Sequence, residues 1–185
     1  MTRRGLLGIV AAAATLALAP EALAAPLPQR KPLRAARVVR SIHLYNVHTG
    51  ERVQGPYYEG GRYNGQLFRQ ITKLLRDHRS NELHRIDPAL VDLMHAIQMR
   101  TGGGRKPLEI VSGYRSPQTN EMLRLAGYGV AENSYHLQGK AVDIRMAGVR
   151  VSQLSRLARD LGRGGVGTYG GSNFLHIDTG PVRRW

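Results

Sequence analysis

Two stretches decide how this chain is read: Ser134-Tyr135-His136-Leu137-Gln138-Gly139-Lys140-Ala141-Val142-Asp143 and, downstream, Phe174-Leu175-His176-Ile177-Asp178. In the first, Gly139 permits a turn between a loop histidine and a strand running from Lys140 to Arg145, so that His136 and a strand carboxylate face one point. In the second, alternate residues of a strand share a face, which puts His176 and Asp178 on one side. Two neutral imidazoles and one carboxylate make a three-ligand set for zinc that leaves a fourth position for water, the form of a catalytic site. Such a metal polarises a carbonyl and lowers the pKa of water toward neutrality, which suits amide hydrolysis; a carboxylate nearby must still take the water proton and pass it to the leaving amine. The other histidines, His43, His48, His78, His84 and His95, fall in ordinary strands, turns or helices and receive no role.

Around these stretches the chain reads as α+β, a small, mainly antiparallel sheet with surrounding helices. Ser41 to Val47 alternates like a strand, His48 to Glu51 turns, and Arg52 to Tyr58 returns as the second arm of a hairpin. Leu67, Ile71, Leu74 and Leu75 have helical spacing, as do Leu90, Val91, Met94 and Ile97 behind Asp87-Pro88, where Asp caps and Pro opens a helix. After Gly102-Gly103-Gly104 a buried strand, Leu108 to Val111, leads into Ser112-Gly113-Tyr114-Arg115-Ser116, and a helix runs from Ser116-Pro117 to about Ala126. Ser152 is read as the cap of a helix carrying Leu154, Leu157, Ala158 and Leu161, stopped by Gly162; Gly164 to Tyr169 and Asn173 to Asp178 are short strands. Arg156, Arg159 and Arg163 form a solvated face of that helix, and Tyr57, Tyr58, Tyr63 and Tyr114 are taken as packing.

The chain has 185 residues, enough for one hydrophobic core, and no cysteine, which excludes disulfides, thiolate chemistry and Cys-ligated metals. Thr2-Arg3-Arg4-Gly5-Leu6-Leu7, an alanine-rich apolar run from Ile9 to Ala19, and Ala22-Leu23-Ala24 have the parts of a signal peptide, with paired arginines of the twin-arginine type. Residues 1–24 are therefore read as a cleaved signal, 25–40 as a basic, proline-rich leader and 41–185 as the domain, with no transmembrane span after cleavage. Removing Arg3, Arg4 and Glu21 changes the net charge from +14 to +13, so the positive field belongs to the exported domain. Export sets nucleic acid aside and points the charge at an anionic cell-envelope polymer in the periplasm.

The pattern Ser-x-His-x-x-Gly-x-Ala-x-Asp at Ser134 to Asp143, followed by His176, resembles the zinc peptidases related to D-Ala-D-Ala carboxypeptidase, lysostaphin and hedgehog. Ser112 to Ser116 with Asn120 matches the same family's substrate-side motif, and that resemblance runs from Ile42 to Trp185. More closely, the twin-arginine leader, Ser112 to Ser116, Ser134-Tyr135-His136, Gly164-Gly165-Val166-Gly167 and Phe174 to Pro181 together resemble the murein endopeptidase K (YcbK-like) group of peptidoglycan hydrolases. The resemblance implies a fold like those of hedgehog and D-Ala-D-Ala peptidases. It implies one zinc ion held by His136, Asp143 and His176. It also implies Arg115 against a substrate carboxylate or the developing oxyanion, and Ser134 and Asn120 holding substrate or ordering the ligand loop.

Many relatives carry an acid three residues before the last histidine, or a histidine two before it. Those positions are Asn173 and Phe174 here, and neither accepts a proton usefully. The base role is assigned to Asp178, whose other reading is orientation of a ligand, with Glu132 as a substitute. The implied activity is hydrolysis of peptide crosslinks in peptidoglycan: diaminopimelate–diaminopimelate links, with D-Ala–diaminopimelate links as a slower reaction. Two alternatives are a carboxypeptidase that trims terminal D-alanine and a non-catalytic murein-binding module that kept the metal site but lost the base.

Overall fold

Alternation of buried Ile42, Leu44 and Asn46 with more exposed neighbours makes Val39–Asn46 (β1) a strand with one face on the core. The structure is a computed structural model and describes residues 38–185. The signal peptide read at 1–24 and the leader as far as residue 37 lie outside the described residues. The leader's last residues already belong to the fold: Val39 and Arg40 pair with Glu59 and Tyr58 of the return strand, Arg52–Glu59 (β2). Arg40 is held there by Asp92 (Nη1 to Oδ1, 2.9 Å) and by the ring of Tyr58, 4.6 Å away.

After a short strand, Arg62–Tyr63 (β3), come two helices, Gly65–Leu74 (α1) and Pro88–Arg100 (α2). Asn64 caps α1 by accepting from the Gln66 and Leu67 N–H groups, and Asp87 caps α2 by accepting from that of Ala89. Their buried faces include Leu67, Ile71 and Leu74 on α1 and Leu90, Met94 and Ile97 on α2; each such side chain stabilises the core by about 1.5–3 kcal/mol. This helical crossover lays Leu108–Ser112 (β4) parallel to β1.

Three further elements follow: Pro117–Leu125 (α3), Ala141–Arg145 (β5) and Val151–Asp160 (α4). Gly165–Tyr169 (β6), Phe174–Asp178 (β7) and Arg183–Arg184 (β8) complete one sheet in the order β3-β2-β1-β4-β5-β7-β6-β8. Among these pairings only β1–β4 and β6–β8 are parallel. The α+β, mainly antiparallel reading holds, although with eight strands the sheet is larger than expected.

The start of α4 corrects the sequence reading. The helix begins at Val151, Arg150 stands at the cap without a side-chain bond, and Ser152 is exposed on the first turn. Burial of Val151 fixes the start, immediately after the turn closed by the Val149 N–H on the Met146 carbonyl (3.1 Å). Tyr57 is fully buried and donates to Asp92 with Tyr63 (2.7 and 2.9 Å), while Tyr114 stacks on His84, so these tyrosines are packing groups. No helix among the described residues is long and apolar enough to cross a membrane.

Candidate metal centre

Ser134 opens a single 3-10 turn, Tyr135–Gln138, with its Oγ accepting the His136 N–H (3.3 Å), and Gly139 closes the turn at φ 63°. A Cβ on Gly139 would lie 2.2 Å from the Arg85 carbonyl oxygen, so glycine is required for space as well as for the left-handed backbone. The turn delivers His136, fully buried, to the end of β5. Across the sheet, Ser112, Asp143, His176 and Gly167 form one row, each paired with the next. Paired residues project from the same face, which sets Asp143 beside His176.

The ligand atoms converge as a metal would require. His136 Nε2 and His176 Nδ1 are 3.1 Å apart, and Asp143 Oδ1 lies 2.9 Å from the latter and 3.3 Å from the former. Four-coordinate zinc with bonds of about 2.0–2.1 Å sets its ligand atoms ~3.3 Å apart, so the trio is at ligand spacing. The outer nitrogens fix the tautomers. His136 Nδ1 donates to the Gly113 carbonyl (2.7 Å), and His176 Nε2 donates to Asp178 Oδ2 (3.1 Å). In their neutral forms the two rings turn inner-nitrogen lone pairs toward Asp143, a donor set that suits one cation, whereas a protonated His176 donates its Nδ1–H to Asp143 Oδ1 instead. Burial holds the His136 pKa down. Burial also opposes charge on His176, but its bonds to Asp143 and Asp178 outweigh that and raise it. Asp143 stays well below the usual carboxylate range because the attraction of His136 and the bonds from both histidines outweigh its burial.

Arg115 reaches the same atoms. Its Nη2 donates to Asp143 Oδ2 (2.5 Å) and lies 3.2 Å from His136 Nε2, and its Nε donates to Ser112 Oγ (3.0 Å). Its loop is stapled on both sides: the Tyr114 N–H bonds the Leu75 carbonyl at the end of α1, and Asp77 accepts from the Ser116 N–H and Oγ (2.9 and 2.8 Å). Gly113 lies so close to α1 that a Cβ there would be 2.3 Å from the Leu75 carbonyl oxygen.

The structure bears on the two readings offered for Asp178 and for Asn120. Asp178 is fully buried, and its oxygens accept from the Gly165 and Gly180 N–H groups, both terminal nitrogens of Arg183, and His176. Burial works against its charge, but those bonds outweigh it and hold the carboxyl far below the usual range. A carboxylate with five donors on its two oxygens and no exposed surface is well placed to orient His176 and poorly placed to take a proton from water. Asn120 is buried, and its Nδ2 donates to the Ala131 carbonyl (3.1 Å), which fits the loop-ordering one of its two expected tasks. Asn173 and Phe174 also have structural tasks: Asn173 takes the left-handed turn position (φ 53°), and Phe174 stacks on Tyr169 at 4.6 Å.

A cleft of about 590 Å³ opens over the three ligands, with Arg115 and Ser134 in its lining. Much of the remaining wall is aromatic: Tyr128, Tyr135, Tyr169, Phe174 and Trp185. Asp143 is the only carboxylate among its described lining residues, and Glu132 is exposed outside it. Sequence reasoning missed Arg183, Tyr135 and Trp185. The signal was the run Gly164-Gly165-Val166-Gly167, since a Cβ on Gly165 would strike Asp178 and Arg183 (2.4 and 2.7 Å) and one on Gly167 would strike the Trp185 indole (2.5 Å).

Residues 34–185 match the family described as peptidoglycan L,D-endopeptidase MepK. The chain is 42% identical over 146 residues to the probable peptidoglycan L,D-endopeptidase MepK of Haemophilus influenzae, covering 79% of this chain and 78% of that protein. It is 38% identical over 183 residues to the peptidoglycan L,D-endopeptidase MepK of Escherichia coli K12, covering 99% and 96% of the two chains. A partial overlay relates it to the crystal structure of Serratia marcescens L-Ala D-Glu endopeptidase ChiX, with TM-score 0.34 and 22% identity over 42% of this chain and 62% of that one.

Proposed function

This chain belongs to the peptidoglycan L,D-endopeptidase MepK family, and from that premise we propose that it is a zinc-dependent hydrolase of peptidoglycan crosslinks, acting on diaminopimelate–diaminopimelate bonds and more slowly on D-Ala–diaminopimelate bonds. The observation that carries the reading is the convergence of His136 Nε2, Asp143 Oδ1 and His176 Nδ1 at ligand spacing within the cleft. Held by these atoms, zinc supplies the Lewis acidity that polarises the scissile carbonyl and lowers the pKa of water.

The chain's own residues prepare the rest. Arg115 directs a guanidinium at the same point and there pairs a substrate carboxylate or the developing oxyanion. Asp178, locked by Arg183, fixes the ring and tautomer of His176. Ser134 holds the turn that carries His136. The arginine pair near the amino terminus and the apolar run after it support export by the twin-arginine route to the periplasm. There the net positive charge meets stem peptides rich in free carboxylates.

Digestion of crosslinked muropeptide dimers with and without a chelator, followed by mass analysis of the products, tests this. Scission of the bond between the two diaminopimelate residues, abolished by the chelator, is the expected result. Release of terminal D-alanine alone, or sacculus binding with no new amine ends, contradicts it.

A further inference from the structure

The segment Arg183–Trp185 lies beside the metal centre although it is far from the ligands in sequence. Strand β8 pairs with β6, and the Thr168 N–H bonds the Trp185 carbonyl (3.0 Å) while the Trp185 N–H bonds that of Val166 (3.2 Å). Gly167, paired with the ligand His176, leaves room for the indole, whose centroid lies 5.3 Å from the imidazole of His176. The indole Nε1 donates to the Tyr169 hydroxyl (2.9 Å), and the Arg183 guanidinium lies 5.0 Å from its ring and 5.0 Å from that of Tyr135. Backbone bonds, a side-chain bond and a stacked cation thus hold the ring, yet Trp185 remains 47% exposed in the cleft lining.

A large apolar ring held rigid with half its surface open is the usual form of a binding anchor, because little conformational freedom is lost when a ligand covers it. The charge beside it narrows the ligand. The charge of Arg183 is already paired with Asp178 through both terminal nitrogens (3.1 and 2.7 Å), so this wall offers a carboxylate no uncompensated cation. The anion-binding role stays with Arg115, as in the functional reading above, and the wall at Trp185, with Tyr169 and Phe174, suits an uncharged hydrocarbon arm.

We propose that Trp185 is a substrate-contacting, specificity-determining residue, against whose indole the methylene arm of the diamino acid beside the scissile amide is laid. This rests on the peptidoglycan reading above and deepens it.

The test compares wild type with Trp185→Ala and Trp185→Phe on a purified diaminopimelate-crosslinked muropeptide dimer, measuring kcat, KM, bound zinc and the melting temperature. Loss of the indole face is expected to raise KM about tenfold in the Ala variant and about threefold in the Phe variant, with kcat within about threefold of wild type and zinc content unchanged. The Phe variant, which keeps a ring in the same place, carries the test if the Ala variant does not fold. Unchanged KM in a folded, zinc-loaded variant, or a fall in kcat with KM unchanged, overturns the inference alone. Wild-type protein that leaves the dimer intact overturns the functional reading and the inference with it.

Discussion

Replacing Asp178 with Asn separates two roles that the sequence alone leaves open. Asp178 has no exposed surface and receives five donors: the N–H groups of Gly165 (3.0 Å) and Gly180 (2.8 Å), Arg183 Nη1 and Nη2 (3.1 and 2.7 Å), and His176 Nε2 (3.1 Å). An amide of the same shape keeps one oxygen for the two backbone groups and turns an NH₂ toward Arg183 and His176, which are donors themselves. Breaking a buried ion pair costs about 3–5 kcal/mol, and with the Arg183 side chain 39% exposed, screening brings this to roughly 2–3 kcal/mol. For a domain of this size that lowers the melting temperature by about 4–12 °C.

Loss of the partner that orients a ligand histidine also weakens metal binding by about 10–100-fold. Competition against a chromophoric chelator measures the zinc affinity, and kcat is then taken at saturating zinc. Weaker zinc binding, with kcat returning to within about tenfold of wild type on saturation, is the predicted result. A general base predicts the reverse, intact zinc affinity with kcat down by about 10²–10⁴, and that outcome refutes the orienting role.

Three further predictions concern the frame of the site. Asp77→Asn loosens the loop that carries Arg115, because Asp77 is 1% exposed and bonds Ser116 twice; stability falls by about 1–3 kcal/mol in urea titration and kcat/KM by about tenfold. Gly167→Ala drives a methyl group into the Trp185 indole, 2.5 Å from the nearest ring atom, and destabilises by about 1–3 kcal/mol on the same measurement. His78 stacks on His48 at 4.0 Å, and burial, with repulsion from His48 and Arg79, pushes its pKa down to about 4. Between about pH 6.5 and that value the unfolded chain binds a proton that the folded chain refuses, so stability is lost as pH falls through this window. In urea midpoints at pH 7.5 and 5, His78→Phe shows a smaller loss than wild type.

The convergence of His136, Asp143 and His176 was legible because their spacing is local: a capped turn with a glycine behind His136, a strand through Asp143, and a second strand through His176. The same alternation placed His176 and Asp178 together, and they do touch, at 3.1 Å. It could not reveal Arg183, which arrives through the β6–β8 pairing and turns a prospective base into a filled, buried carboxylate. Which of the two tasks expected of Asn120 it performs was hidden for a similar reason, since its partner is a loop carbonyl eleven residues on. Ser152 has the composition of a cap, but burial of the neighbouring Val151 decides where α4 begins. Long-range pairing also hid the register that aligns Ser112, Asp143, His176 and Gly167, although these four strands were read nearly to their ends.

The central claim, a single metal at His136, Asp143 and His176 that enables crosslink hydrolysis, is tested most directly by stripping the protein of metal and titrating zinc back. Bound metal is counted and dimer cleavage measured at each step, for wild type and His136→Ala. Wild type is predicted to bind one zinc per chain and to regain cleavage in proportion to it, while the variant binds no zinc at that stoichiometry and cleaves nothing. Cleavage by metal-free wild type, or full activity in His136→Ala, contradicts the account.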